Sequence, residues 1–297
     1  MKIFSFFSLS VFCATAFGKV NVVTTTADIA SLVREVGNGF VEVIAIAKGS
    51  QDPHFIEAKP SYMVKLRDSD LLLSNGLSLE IGWLPSLIRG ARNPKIAPGS
   101  RGYVELGSLI DPIDLPQGKL TRAQGDVHPE GNPHFMLDPM IVGQLAVEVA
   151  KKLGELDSAN KDKYEENGNQ FQARLLKKSA EWQDRITKSG VKKVITYHPS
   201  LNYFLKRYNL TAAAHLESKP GIPPSAQHIL YVIDVMKKEN IKIILVDNFF
   251  DTKIAERIKK EVAGSLIKSV GISVDSEPNL KTLSDVTEYL VRAIEAP

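Results

Sequence analysis

Residues 160–188 read NKDKYEENGNQFQARLLKKSAEWQDRITK. The apolar positions Tyr164, Phe171, Leu175, Trp182 and Ile186 are spaced seven, four, seven and four apart, with Lys, Glu and Gln filling the rest. That spacing marks one face of a long helix. Gly168 inside it costs about 1 kcal/mol relative to Ala, which predicts a weak point rather than a break. A helix of roughly 28 residues is about 42 Å long, enough to join two domains as a rod.

Strands and helices alternate on both sides of this segment. Upstream, Val20–Thr24, Val41–Ala47, Leu71–Leu73 and Val104–Leu106 read as strands, rich in β-branched or aliphatic residues. Asp28–Val36, Ser61–Arg67, Ile81–Ile88 and Ile141–Leu156 read as helices. Downstream, the strands are Lys193–Tyr197, Thr211–Leu216, Lys242–Val246 and Ser265–Val270. Helices fall at Leu201–Arg207, Ser225–Lys238, Lys253–Val262 and Leu283–Ile294. Such βαβα order argues for sheets with mostly parallel strands, covered by helices. The expected fold class is α/β, with two β/α lobes joined by a long rigid backbone helix. The divisions are an N-terminal lobe over 19–157, a linking helix over 158–188 and a C-terminal lobe over 189–297. Asp111–Pro133, rich in Pro and Gly, is the longest loop candidate.

Residues 1–18 carry one charge, Lys2, followed by an uncharged, mostly apolar stretch ending at Gly18. The stretch falls short of the roughly 20 apolar residues a membrane-spanning helix needs. A positive start, a short apolar core and small residues at a cleavage site describe a secretory signal peptide. Ala16 and Gly18 stand at −3 and −1 for cleavage before Lys19. The competing reading is a lipoprotein anchored through Cys13, but a bulky Phe12 precedes that cysteine where a small residue is usual. Cleavage and release, with a periplasmic address, is the expectation.

Cys13 is the only cysteine, so the mature chain has none. An exported protein without disulfides is held by its core alone, and about 280 residues suffice for that. Thiolate zinc sites and cysteine nucleophiles are excluded, leaving His, Asp and Glu to hold any metal. Without Lys2 the 37 Lys and Arg become 36 against 34 Asp and Glu, a net charge of +2. The signs are interspersed, with no basic stripe of the kind that nucleic-acid binding leaves.

Three of six histidines stand in turns near strand or helix ends, where α/β folds place binding residues. His54 lies in Gln51-Asp52-Pro53-His54, His134 in Gly131-Asn132-Pro133-His134, and His198 just after Val194–Tyr197 and before Pro199. The adjacent prolines restrict the local backbone. A lone histidine beside a proline is ordinarily a turn residue, and there is no His-Glu-x-x-His and no pair at i, i+4. Spacing by itself is therefore only suggestive.

The motifs go further together. Asp52-Pro53-His54, the run Gly131–Pro139, His198 with Asn202-Tyr203-Phe204 and Tyr208-Asn209-Leu210, and Lys219–Ser225 resemble one family. It is the zinc/manganese substrate-binding proteins of ABC transporters, the TroA/ZnuA-like group. The likeness runs from Val22-Val23-Thr24-Thr25 to the last helix. It implies two α/β lobes joined by a long helix, with one metal ion between them. By motif the family's first three ligands fall on His54, His134 and His198, and its C-terminal aspartate on Asp275. Asp247 competes on physical grounds, at the end of a buried strand; a water or His128 are other means of completing the shell. Glu217 reads as structural, as do His215 and His228.

Three imidazoles suit Zn²⁺, with Mn²⁺ the other metal the family takes, commonly through glutamate at the third position. Many zinc members carry a long His- and acid-rich loop before the second ligand; here Asp111–His128 holds one histidine and few acids. The implied partners are an ABC permease and its ATPase at the inner membrane, served by a monomeric binding protein rather than an enzyme. The competing functions are a zinc-dependent hydrolase, or a periplasmic zinc chaperone or adhesin on the same fold.

Overall fold

The computed structural model describes residues 18–118, 125 and 127–295. The expected leader, apart from Gly18, lies outside the described residues. Strands β1 (Val20–Thr24), β2 (Val41–Ala45), β3 (Leu71–Ser74) and β4 (Tyr103–Glu105) form one sheet in the order β2-β1-β3-β4. Strands β5 (Lys193–Thr196), β6 (Thr211–His215), β7 (Ile243–Asp247) and β8 (Leu266–Val270) form a second in the matching order β6-β5-β7-β8. Every strand pair in both is parallel.

The helices that connect them are α1 (Ala27–Gly37), α2 (Pro60–Arg67), α3 (Leu84–Ala91) and α4 (Pro139–Leu156) in the first half. The long helix α5 (Lys161–Ser189) follows, and then α6 (Asn202–Arg207), α7 (Ala226–Lys238), α8 (Lys253–Glu261) and α9 (Leu283–Glu295). Parallel strands are buried on both faces, and the alternation of their side chains sorts the core. In the first sheet Val23 and Leu72 face α2 and α3, while Val22, Leu71 and Leu73 face the interior. In the second, Ile195, Ile244 and Val246 face α7 and α8, while Val194, Ile243 and Leu245 face the interior.

That interior is one continuous core. Tyr164, Phe171, Leu175, Trp182 and Ile186 of α5 pack in a single cluster with residues of both sheets and of α1, α4, α6 and α9. The five positions picked out by spacing are all buried. The helix joins the lobes as the spine of a shared core, in contact along its length, rather than as a rod between separate bodies. It also runs unbroken through Gly168. A side chain there would meet Ala146 O at 2.9 Å and the Ala150 methyl at 3.0 Å, so the glycine lets α4 and α5 approach closely.

Polar contacts tie the halves together as well. Asp28, in the first turn of α1, accepts hydrogen bonds from Ser273 Oγ (2.7 Å) and Val274 N (2.8 Å). Arg207 of α6 holds both oxygens of Asp138, the N-cap of α4. Arg185 of α5 clasps Glu288 and Glu295 of α9.

Candidate metal centre

The three histidines lie beyond the carboxyl ends of the strands, where parallel sheets open a crevice. His54 follows β2, His134 stands between β4 and α4, and His198 lies two residues past β5. One ring nitrogen from each lies within 4.8 Å of the other two. Ring centroids are 5.5 Å (His54–His134), 5.2 Å (His134–His198) and 5.8 Å (His54–His198) apart.

The first two histidines are presented by the same local device. Asp52 Oδ1 accepts from His54 N (3.0 Å) and from its ring Nδ1 (2.7 Å). Asn132 Oδ1 does the same for His134, at 2.9 and 2.8 Å. In each Asx-Pro-His triplet the short side chain closes a turn on the histidine backbone and fixes its ring at once. Buried donors then hold the proline carbonyls between: the Trp83 indole donates to Pro53 O, and the Asn75 amide to Pro133 O. His198 is oriented from further away, its Nδ1 lying 2.9 Å from Glu217 Oε2. Parallel register pairs Thr196 with His215, so residues 198 and 217, each two positions on, emerge side by side.

Carboxylates only accept, so Nδ1 of His54 and His198 carries the proton and Nε2 the lone pair. Asn132 Oδ1 imposes the same tautomer on His134. Burial, helped by the neighbouring His198, His54 and His128 rings, holds His134 well below the ordinary imidazole range, so it is neutral and ready to ligate. Burial works against the charge of Asp52, yet the hydrogen bonds it accepts from the ring and backbone N–H of His54 hold its carboxyl below the usual range. Neutral imidazoles fixed through Nδ1 by a carboxylate or carbonyl are what metal-binding histidines present. This donor set fits a transition-metal ion.

Asp275 and Asp247, named alongside the histidines, stand outside this group. Asp275 has a side chain 52% exposed and pairs with Lys281 at 2.7 Å. Asp247 is buried, with Ser200 Oγ on both carboxylate oxygens; burial pushes it up to about 7, Ser200 opposing and Glu217 and Asp52 adding. Glu217, read as structural, is the partner of His198. Asp52 and Asn132, which the sequence reading did not single out, and Glu217, which it read as structural, are the residues that orient the three rings, and the repeated Asx-Pro-His triplet was a visible signal for the first two. His228 lies apart, its Nε2 on His215 O.

Two parallel α/β lobes over a shared spine, with an oriented trio of imidazoles in the crevice, define a metal-binding protein of the cleft type. The chain belongs to the ZnuA family, the periplasmic component A of zinc-uptake complexes, whose profile matches residues 22–296. This is a family of ABC-transporter substrate-binding proteins, not enzymes. The metal ABC transporter substrate-binding lipoprotein ScbA of Streptococcus cristatus is 26% identical over 252 residues, 83% of this chain and 78% of that one. The manganese ABC transporter substrate-binding lipoprotein PsaA of Streptococcus mitis is 24% identical, over 86% and 84% of the two chains. Among solved structures, a ZnuA deletion mutant with zinc bound is similar at TM-score 0.76 and 28% identity, over 93% of this chain and 96% of that one.

Proposed function

We propose that this protein is the extracytoplasmic binding component of an ABC importer, and that it captures one zinc ion on Nε2 of His54, His134 and His198. The observation that carries the reading is that all three rings have Nδ1 engaged by Asp52, Asn132 or Glu217 and so turn their lone pairs on one another. Nitrogen donors suit zinc, whereas manganese favours oxygen-rich sites; manganese, the metal in the PsaA relative's name, is the competing cargo. The protein works in the periplasm as a monomer and hands its ion to a membrane permease driven by an ATPase.

Metal analysis of protein purified without chelators tests this directly, and should return about one zinc per chain. Competition titration should then show His54→Ala, His134→Ala and His198→Ala each binding zinc far more weakly than wild type, with His228→Ala unchanged. Manganese recovered in place of zinc would refute the cargo. Wild-type affinity in all three histidine variants would refute the site.

A further inference from the structure

His128 belongs to the same cavity. It lines a space of about 340 Å³ together with His134, His198, Asp114 and Asn202. Its Nε2 lies 3.2 Å from Nε2 of His54. A tetrahedral zinc bonded to two imidazoles at 2.0–2.1 Å sets their nitrogens roughly 3.3 Å apart, so this pair already has the separation of two ligands on one ion. His54 donates its Nδ1 hydrogen to Asp52, so as a neutral ring it faces His128 with a lone pair. What sits between the two rings is either a proton on His128 or a cation.

The turn carrying His128 is built to hold it there. Gly131 N donates to His128 O (3.2 Å), and Gly131 takes φ +107°, a conformation that favours glycine. A side chain at Gly131 would strike Pro112 and the Ile113 carbonyl at 2.8 and 2.9 Å. Ser78 Oγ donates to Glu130 Oε2 at 2.6 Å and pins the turn to the first lobe. Meanwhile the nearby carboxylates have other work: Asp52 holds His54, Glu217 holds His198 and Gly221 N, Asp114 accepts from the Asn132 and Asn202 amides, and Asp275 pairs with Lys281.

We infer that His128 is the fourth ligand, closing a four-imidazole zinc site over the three cleft histidines. The inference rests on the zinc-binding reading above. Four protein donors complete a tetrahedral shell and leave no open position for a reactive water, which suits a carrier. The test uses purified full-length protein, zinc affinity by competition with a chromophoric chelator, and the visible absorption of Co²⁺ placed in the same site. His128→Ala and His128→Asn should weaken zinc about tenfold or more and alter the cobalt spectrum, with metal-free melting unchanged. Asp275→Asn should leave both readouts as in wild type. Three outcomes overturn the inference: unchanged affinity in both His128 variants, lost affinity with an unchanged cobalt spectrum, or the spectral change appearing in Asp275→Asn instead. A wild-type protein that binds neither metal would defeat the zinc-binding reading itself.

Discussion

Asp52, Asn132 and Glu217 do for the site what the histidines cannot do for themselves, because a free imidazole chooses neither its tautomer nor its rotamer. Loss of such an outer partner ordinarily costs about 10- to 100-fold in metal affinity. Asp52→Ala and Glu217→Ala should each lose zinc affinity in that range, measured by competition titration, while far-UV circular dichroism stays native. Asp247 makes a separate prediction. Its carboxyl, ordinarily near 3.8, is raised to about 7 by burial, so the folded state holds the proton more tightly than the unfolded chain. That stabilisation is present at low pH and fades as pH rises through about 7. In metal-free protein the melting temperature of Asp247→Asn relative to wild type should therefore increase from pH 5 to pH 8; a difference independent of pH would contradict the assignment. The three cleft histidines were legible through the motifs that carry them, which resemble those of one family, since a proline neighbour alone is only suggestive. Glu217 was not, since its approach to His198 depends on the register of β5 against β6, which no local pattern encodes.

At the scale of elements, most boundaries were readable to within a residue or two, since buried parallel strands are short aliphatic runs bounded by turn residues. The helix expected at Ile81–Ile88 instead spans Leu84–Ala91. Pro85 explains the slip: proline is tolerated in the first helical turn, and Glu80–Trp83 form turns ahead of it. Gly168 does not break α5, as expected, but its packing role lies outside what propensity can show. Propensity counts only the helix's own backbone, whereas this position faces α4, whose Gly143, Ala146, Ala150 and Gly154 provide small residues along the seam. Gly168→Ala, which should gain about 1 kcal/mol in an isolated helix, should here lower the melting temperature. Asn169→Ala, on the exposed face one residue along, should raise it slightly. If both substitutions stabilise, the close packing of α4 on α5 is not as described.

Across the whole molecule, the shared interior of the two lobes was not legible from residue patterns, because side-chain spacing shows which face of α5 is buried but not how many partners it meets. Trp182 illustrates the outcome: its ring packs in the common core and its indole donates to Glu288 of α9 at 2.8 Å. Calorimetry should accordingly show one cooperative transition rather than two. Zinc at a thousandfold excess over its Kd should stabilise the protein by about 4 kcal/mol and move that transition as a unit. Two separable transitions, with zinc shifting only one, would contradict a common core. The shared interior also bears on how such proteins diversify. Lobes built as independent bodies could be exchanged between relatives by recombination at the connecting helix. Here a crossover within α5 would set one parent's sheet against the other's spine, and mismatched volumes around Phe171, Leu175 and Trp182 would loosen both walls of the cleft. Workable hybrids should inherit the inward faces of α1, α4, α5, α6 and α9 from a single parent, leaving the outer helices α2, α3, α7 and α8 as the parts free to be traded.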